Sequence, residues 1–274
     1  MASVALVQGA SRGLGLQFCR HILGAKPSSF VVATCRNPDA AGELKDLHSQ
    51  YSDRMHILQL DVTQEAHISK AAEVVGSKFG QLDLLINSAG MLHPSGRGET
   101  SLRAVTAEGL QQTLLTNATG ALMMAKHFSP LLVKGTGSFG VQGENKKSQH
   151  KSVIVNMSAK VGSITDNGMG GWYSYRMSKA ALNMATKNLS VEFGRGTNKI
   201  VCVALHPGTV DTDLSRPYHK NVPEGKLFTT EYSINCLMNI INHVAQCVIY
   251  GPFVKANVVQ CVLPIYGVNE ITIL

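Results

Sequence analysis

Charge and aromatic side chains are both scarce in this chain of 274 residues, at 16% and 6%. Hydrophobic residues reach 44%, the content of a globular core and not of a disordered or fibrous chain. Cysteine is sparse and poorly spaced for cross-linking. Cys19, Cys35, Cys202, Cys236, Cys247 and Cys261 form no Cys-x-x-Cys pair and no dense framework, which points to reduced, packed thiols and to no metal site. No apolar run is long and uninterrupted enough to cross a bilayer, and no signal peptide is legible before the first strand-like run. The expectation is a soluble, cytoplasmic protein with no membrane partner. Net charge is +7, yet apart from Lys146, Lys147 and Lys151 the basic residues are scattered, so a phosphate-bearing small molecule fits better than a nucleic acid.

Glycine is plentiful, with 26 residues, and its first cluster falls at an informative place. Ser3 to Gln8 reads as a buried strand, Gly9-Ala10-Ser11-Arg12-Gly13-Leu14-Gly15 follows at once, and an apolar helical spacing runs on through Ile22. A glycine turn between strand and helix lets backbone N–H groups approach a pyrophosphate. Phe30 to Cys35 reads as a second strand ending in Arg36. A carboxylate there suits an adenosine ribose, whereas an arginine suits a 2′-phosphate. With Arg12 as a second guanidinium, the pair favours NADP(H) over NAD(H).

The alternation continues. Met55 to Leu60 is a third strand ending in Asp61-Val62, residues 64–79 have helical spacing, and Leu82 to Ile86 runs into Asn87-Ser88-Ala89-Gly90. Residues 104–132 read as mostly helical, with Asn117 inside, where asparagine is unfavourable unless it has another task. Residues 135–151 read as a flexible surface loop. A fifth strand, Ser152 to Ser158, and a sixth, 199–205, flank one further helix. Short apolar strands joined by crossover helices predict an α/β, Rossmann-like, doubly wound parallel sheet with helices on both faces, and ligands of such sheets bind beyond the strands' carboxyl ends. The expected organisation is one dinucleotide-binding catalytic domain over 1–246 and an apolar C-terminal segment over 247–274, packed on the same domain.

Within that further helix, Tyr175 and Lys179 are four residues apart and share a face. A nearby ammonium favours phenolate and so lowers a phenol's pKa, which makes a tyrosine a usable proton donor.

With these motifs in place, the chain resembles the short-chain dehydrogenase/reductase family over nearly its whole length. Gly9 to Gly15 looks like the family's glycine turn, Asp61-Val62 like its adenine contact, and Asn87-Ser88-Ala89-Gly90 like its Asn-Asn-Ala-Gly element with the second Asn replaced. Asn117 matches the active-site asparagine, Tyr175 and Lys179 the catalytic pair, and Pro207-Gly208-Thr209-Val210-x-Thr212 the nicotinamide-side loop. Asn156-Met157-Ser158, Gly162-Ser163-Ile164 and Gly171 to Arg176 resemble the C-factor-like branch of small carbonyl reductases. The resemblance implies hydride transfer from NADPH to a carbonyl carbon, or the reverse from an alcohol. Tyr175 would exchange the proton, Lys179 would lower its pKa and bond the nicotinamide ribose, and Asn117 would support a water. A serine would hold the substrate oxygen. A homodimer or homotetramer is also implied.

Three departures stand out. Gln8 replaces the usual threonine before the first glycine. The family's Ser-Ser becomes Ser158-Ala159, so the substrate-holding hydroxyl is either Ser158 or Ser163, which lies twelve residues before Tyr175. Beyond a helix-like segment from Thr230 to Gln246, the tail departs from the usual final strand and glycine turn, and its apolar content predicts partial burial. A competing reading is an NADP(H)-binding regulatory protein with weak or no catalysis. Residues 91–101 and those after Asp213 are the expected pocket lining.

Overall fold

The structure is a computed structural model that describes residues 2–140, 150–197, 199–250, 260–262 and 271–272, with side chains described as far as 243. Its strands are β1 (Ser3–Gln8), β2 (Ser29–Cys35), β3 (Met55–Gln59), β4 (Leu84–Asn87), β5 (Ser152–Met157) and β6 (Ile200–His206), followed by the short β7 (Thr209–Val210), β8 (Leu227–Phe228), β9 (Gln260–Val262) and β10 (Ile271–Thr272). The helices are α1 (Gly13–Ala25), α2 (Gly42–Gln50), α3 (Glu65–Phe79), α4 (Ala107–Leu114), α5 (Gly120–Leu132), α6 (Tyr173–Phe193) and α7 (Thr230–Tyr250).

The main sheet runs β10-β9-β6-β5-β4-β1-β2-β3. Every pairing from β3 across to β9 is parallel, and β10 closes the edge antiparallel to β9. Every residue of β1, β4 and β5 is buried, as a parallel sheet covered on both faces requires. Alternation along β1 divides the core. Ala5 and Val7 join Phe18, Ile22, Leu44 and Leu237 from α1, α2 and α7, whereas Val4 and Leu6 join Ile68, Val75, Phe128 and Leu189 from α3, α5 and α6. Strand order reverses beside β1, because the chain returns to β4 on the side opposite β2. That reversal opens a crevice at the carboxyl ends of β1 and β4.

Two expectations need refinement. The region expected as mostly helical over 104–132 is two helices joined by a π turn, Leu115–Thr119, with Asn117 buried inside it. One extra residue per turn re-aims the side chains, and such bulges concentrate at functional sites. The stretch expected as a loop over 135–151 is anchored where it is described. Thr136 donates through its amide (2.6 Å) and hydroxyl (2.6 Å) to buried Asp83, and Phe139 is fully buried. Lys146 and Lys147 lie outside the described residues. In the tail, α7 continues past Gln246 to Tyr250, and β9 pairs with β6 through Ala204–His206. The side-chain burial expected there lies outside the described residues. Cys19, Cys35, Cys202 and Cys236 are free thiols, the first three buried.

Candidate active site

The cofactor side is built from backbone. Gly9 has φ +82°, and a Cβ there would lie 2.6 Å from the Ala89 nitrogen; one at Gly15 would lie 2.2 Å from the Gly9 carbonyl oxygen. Glycine is required at both because main chain meets main chain. Helix α1 starts after Arg12 with no side-chain cap and no acidic residue in its first turn, so its N–H groups and positive dipole end suit an anion. Gln8 Oε1 accepts from the Ala89 amide at 3.1 Å and so joins the turn to Asn87–Gly90, a bridge that the sequence reading of Gln8 did not foresee. Asn87 Nδ2 donates to Asn156 Oδ1 at 2.8 Å, which leaves Asn87 Oδ1 buried without a hydrogen-bond partner among the described residues. A bare acceptor near an uncapped helix start fits a dinucleotide, whose hydroxyls donate and whose pyrophosphate is anionic.

The remaining cofactor candidates fall around this crevice. Asp61 follows β3 and its Oδ1 accepts from the Thr63 amide (2.9 Å) and hydroxyl (2.8 Å); Val62 is buried against Gly120. Ser11 and Leu14 are half-buried in the turn. Gly13 approaches Thr212, whose Cγ2 would lie 3.5 Å from a Cβ there, so the loop after β6 reaches the glycine turn. That loop is held from behind: the Pro207 carbonyl accepts from Ser233 Oγ at 2.8 Å, Gly208 takes φ +81°, and Val210 pairs with Phe228. The two arginines differ. Arg12 bridges to Asp213 at 3.2 Å, which Arg216 also engages at 2.7 Å, whereas exposed Arg36 has no ion pair among the described residues.

Tyr175 and Lys179 are both buried in the first two turns of α6. Lys179 Nζ donates to the Met157 carbonyl at 2.7 Å, at the end of β5, and lies 5.6 Å from the Tyr175 ring centre. A Cβ on Gly90 would sit 3.5 Å from Asn117 Oδ1 and 3.7 Å from Lys179 Nζ, so the loop after β4 lies within van der Waals reach of both. Asn117 has the second task its position called for. Its Oδ1 accepts from the Met91 amide (2.8 Å), and its Nδ2 donates to the Met91 carbonyl (2.8 Å) and to Ser178 Oγ (2.9 Å). Burial brings the Lys179 ammonium down from 10.5 to about 8. Burial also pushes the Tyr175 phenol up, opposite to the lowering expected from the sequence. The physical reason is that desolvation of the phenolate outweighs an ammonium aimed at a carbonyl.

The two serines are differently engaged. Ser158 Oγ donates to Asn183 Oδ1 at 2.6 Å, so its proton is committed. Ser163 Oγ accepts from the Asp166 amide at 3.2 Å and keeps its proton. Beside Tyr175, Leu92 and Ala159 form a small apolar cluster with Val161, Trp172 and Tyr218. Leu92 and Tyr218 fall within the stretches expected to line the pocket, 91–101 and beyond Asp213, and Trp172 within the Gly171–Arg176 motif, although no role was expected of Trp172 itself. The one available signal was that the sole tryptophan sits directly before the tyrosine helix.

The short chain dehydrogenase family matches residues 3–223, and the chain belongs to that family of oxidoreductases acting on CH–OH and C=O groups. The NADPH-bound carbonyl reductase from chicken fatty liver is similar in structure at TM-score 0.78 and 32% identity, covering 95% of this chain and 96% of that one. The carbonyl reductase Sniffer of D. melanogaster gives TM-score 0.76 and 31% identity over 95% of this chain and 96% of that one. A benzil reductase ((S)-benzoin forming) of Saccharomyces cerevisiae is 27% identical over 247 residues, 87% of this chain and 86% of that protein. Dinucleotide binding of the NAD(P) type follows from the family.

Proposed function

We propose that the protein is an NADPH-preferring carbonyl reductase in which Tyr175 is the general acid. The observation that carries this reading is the meeting of Tyr175, Lys179 and Asn117 at the carboxyl edge of β4 and β5, next to the uncapped start of α1. A bound NADPH would supply the hydride. The glycine turn and α1 would hold its pyrophosphate, Asn87 Oδ1 would accept from it, and Arg36 would pair with its 2′-phosphate. A buried, neutral phenol keeps its proton at neutral pH and can donate it to an alkoxide as that forms. Lys179, still mostly charged at pH 7, would stabilise the phenolate left behind. Ser163, whose proton is free to donate, fits the substrate oxygen better than Ser158. The wall of Leu92, Val161, Trp172 and Tyr218 suits an apolar or aromatic carbonyl compound.

A homo-oligomer belongs to the same reading. Exposed Met177, Met184 and Val191 recur every seven residues along α6, and exposed Leu115 and Leu122 share that spacing on the neighbouring turn and α5. A second copy covering these stripes would elute as a dimer or larger in light scattering. Among the described residues no helix is long and apolar enough to cross a membrane.

The test is NADPH consumption against a panel of aldehydes, ketones and quinones, repeated with NADH and with Tyr175→Phe. Turnover that favours NADPH and drops by roughly 10²–10⁴-fold in the variant is expected. Arg36→Ala should cost NADPH about tenfold in affinity and leave NADH unchanged. Tight NADPH binding with no turnover on any substrate would favour the regulatory binder, a reading supported by Ala159 in place of the second serine.

A further inference from the structure

Helix α6 opens without a cap of its own. Its first flanking residue, Trp172, is the one non-glycine residue with positive φ among the described residues, at φ 49° and ψ 43°, and makes no side-chain cap. The orphan amides are met instead by Glu99, from the loop after β4. The Glu99 carbonyl accepts from the Trp172 amide at 2.6 Å, and its carboxylate accepts from the Ser174 amide at 3.2 and 3.4 Å and from the Ser174 hydroxyl. Glu99 and Ser174 are both buried. A carboxylate there matches the positive end of the helix dipole. Burial would raise the Glu99 carboxyl, but the bonds from the Ser174 hydroxyl and amide, its own backbone N–H and the charge of His93 together outweigh that and hold it below its usual value.

The same loop is fastened a second time. Tyr218 OH accepts from the Gly98 amide at 2.9 Å, and the Tyr218 ring lies 4.7 Å from that of Trp172. A Cβ on Gly98 would come within 2.7 Å of the indole, so glycine lets the loop lie against it. Trp172 in turn stands edge-on to Tyr175, with ring centres 6.1 Å apart. Two segments distant in sequence, at 98–99 and at 218, therefore close with Trp172 on the first turn of the helix that carries Tyr175 and Lys179.

We propose that Glu99 is a positioning residue that caps α6 from outside and, with the Trp172–Tyr218 pair, fixes where Tyr175 stands. Glu99 touches no reacting atom in this scheme. The catalytic part of the proposal rests on Tyr175 being the acid; the cap itself does not.

Trp172 is the sole tryptophan, so the device reports on itself. The full-length protein, with Glu99→Ala, Glu99→Gln and Tyr218→Phe, is compared by tryptophan emission, amide exchange over 173–179, and turnover of whichever panel carbonyl is fastest. Far-UV circular dichroism checks that each variant is folded. In Glu99→Ala the emission should shift to the red, and exchange in the first turn should speed up by about tenfold, the scale of a lost cap. kcat should fall by about tenfold with the NADPH Kd unchanged. Glu99→Gln, which keeps an acceptor for the Ser174 amide, should fall between native and Ala in all three. Tyr218→Phe, which keeps the ring but removes the acceptor for the Gly98 amide, should shift emission and lower kcat by less than Glu99→Ala does. Native-like emission and exchange in a folded Glu99→Ala overturns the cap. An opened first turn with kcat within about twofold of native overturns the positioning role. Turnover that survives Tyr175→Phe sinks the acid assignment instead, and emission and exchange still decide the cap.

Discussion

The two halves of the crevice are made in different ways. On the cofactor side, main chain touches main chain: Gly15 faces the Gly9 carbonyl and Gly9 faces the Ala89 amide, within segments that the β1–α1 and β4 connections already bring together. On the substrate side, side chains from residues 92–99, 159–175 and 218 meet around Tyr175, and their contacts are rings and hydroxyls. The first half tolerates no side chain because neither partner can move; the second contains groups that can rotate aside. Rigidity is therefore concentrated where a constant cofactor would lie and adjustability where a variable substrate would.

The sharpest way to break this contrast is a pair of identical substitutions. Gly15→Ala sets a methyl against the Gly9 carbonyl at 2.2 Å and should cost about 2–3 kcal/mol of stability, with cofactor binding lost as well. Gly98→Ala meets the base of the indole, with Cγ and Cδ1 both at 2.7 Å, and should cost about 1–2 kcal/mol, less than Gly15→Ala because a side chain and not main chain must shift, while moving tryptophan emission. Equal losses in thermal or denaturant unfolding would erase the distinction. Next in size, Ser163→Ala should lower kcat by about 10–10²-fold, whereas Ser158→Ala, whose hydroxyl is turned to Asn183, should change it less than about threefold. The reverse order would return the role to Ser158.

A further expected effect is on pH dependence. Lys179 is lowered to about 8 in the fold from an ordinary 10.5, so between those values the unfolded chain binds the extra proton. The Lys179 contribution to stability is therefore least favourable below pH 8 and improves as pH rises towards 10.5. Turnover should move the other way and decline above pH 8 as the ammonium is lost. Unfolding curves from pH 7 to 10 should show that upward contribution in the native protein and not in Lys179→Met.

The same division explains what could be read from sequence. The parallel α/β alternation, the glycine turn, and the placing of Tyr175, Lys179 and Asn117 follow from local patterns: short apolar strands, a turn without side chains, four-residue spacing on a helix, and an asparagine where a helix does not want one. Glu99, Trp172 and Tyr218 come together only after the β4-to-β5 and β5-to-β6 crossovers have been folded, and no local pattern couples residues 99, 174 and 218. The direction of the Tyr175 shift was misjudged for a related reason. Spacing reveals that a lysine is near, but not that its ammonium points at Met157 or how deeply the phenol is buried. The bridge from Gln8 to Ala89 was likewise invisible, because glutamine at a strand end has no fixed partner until another strand lies beside it.

The polar row through the sheet has an orientation. Thr186 gives its one proton to the Leu182 carbonyl at 2.7 Å, so it must accept from Asn156 Nδ2 at 2.8 Å. That choice turns Asn156 Oδ1 towards Asn87 and fixes which end of the Asn87 amide faces inward. A hydroxyl in the middle of α6 thus dictates, through two amides, that β4 offers an oxygen and not an NH₂ group on its other side. The helix bearing the tyrosine and the strand edging the cofactor crevice share a single hydrogen-bond grammar, and reversing one word of it would reverse them all.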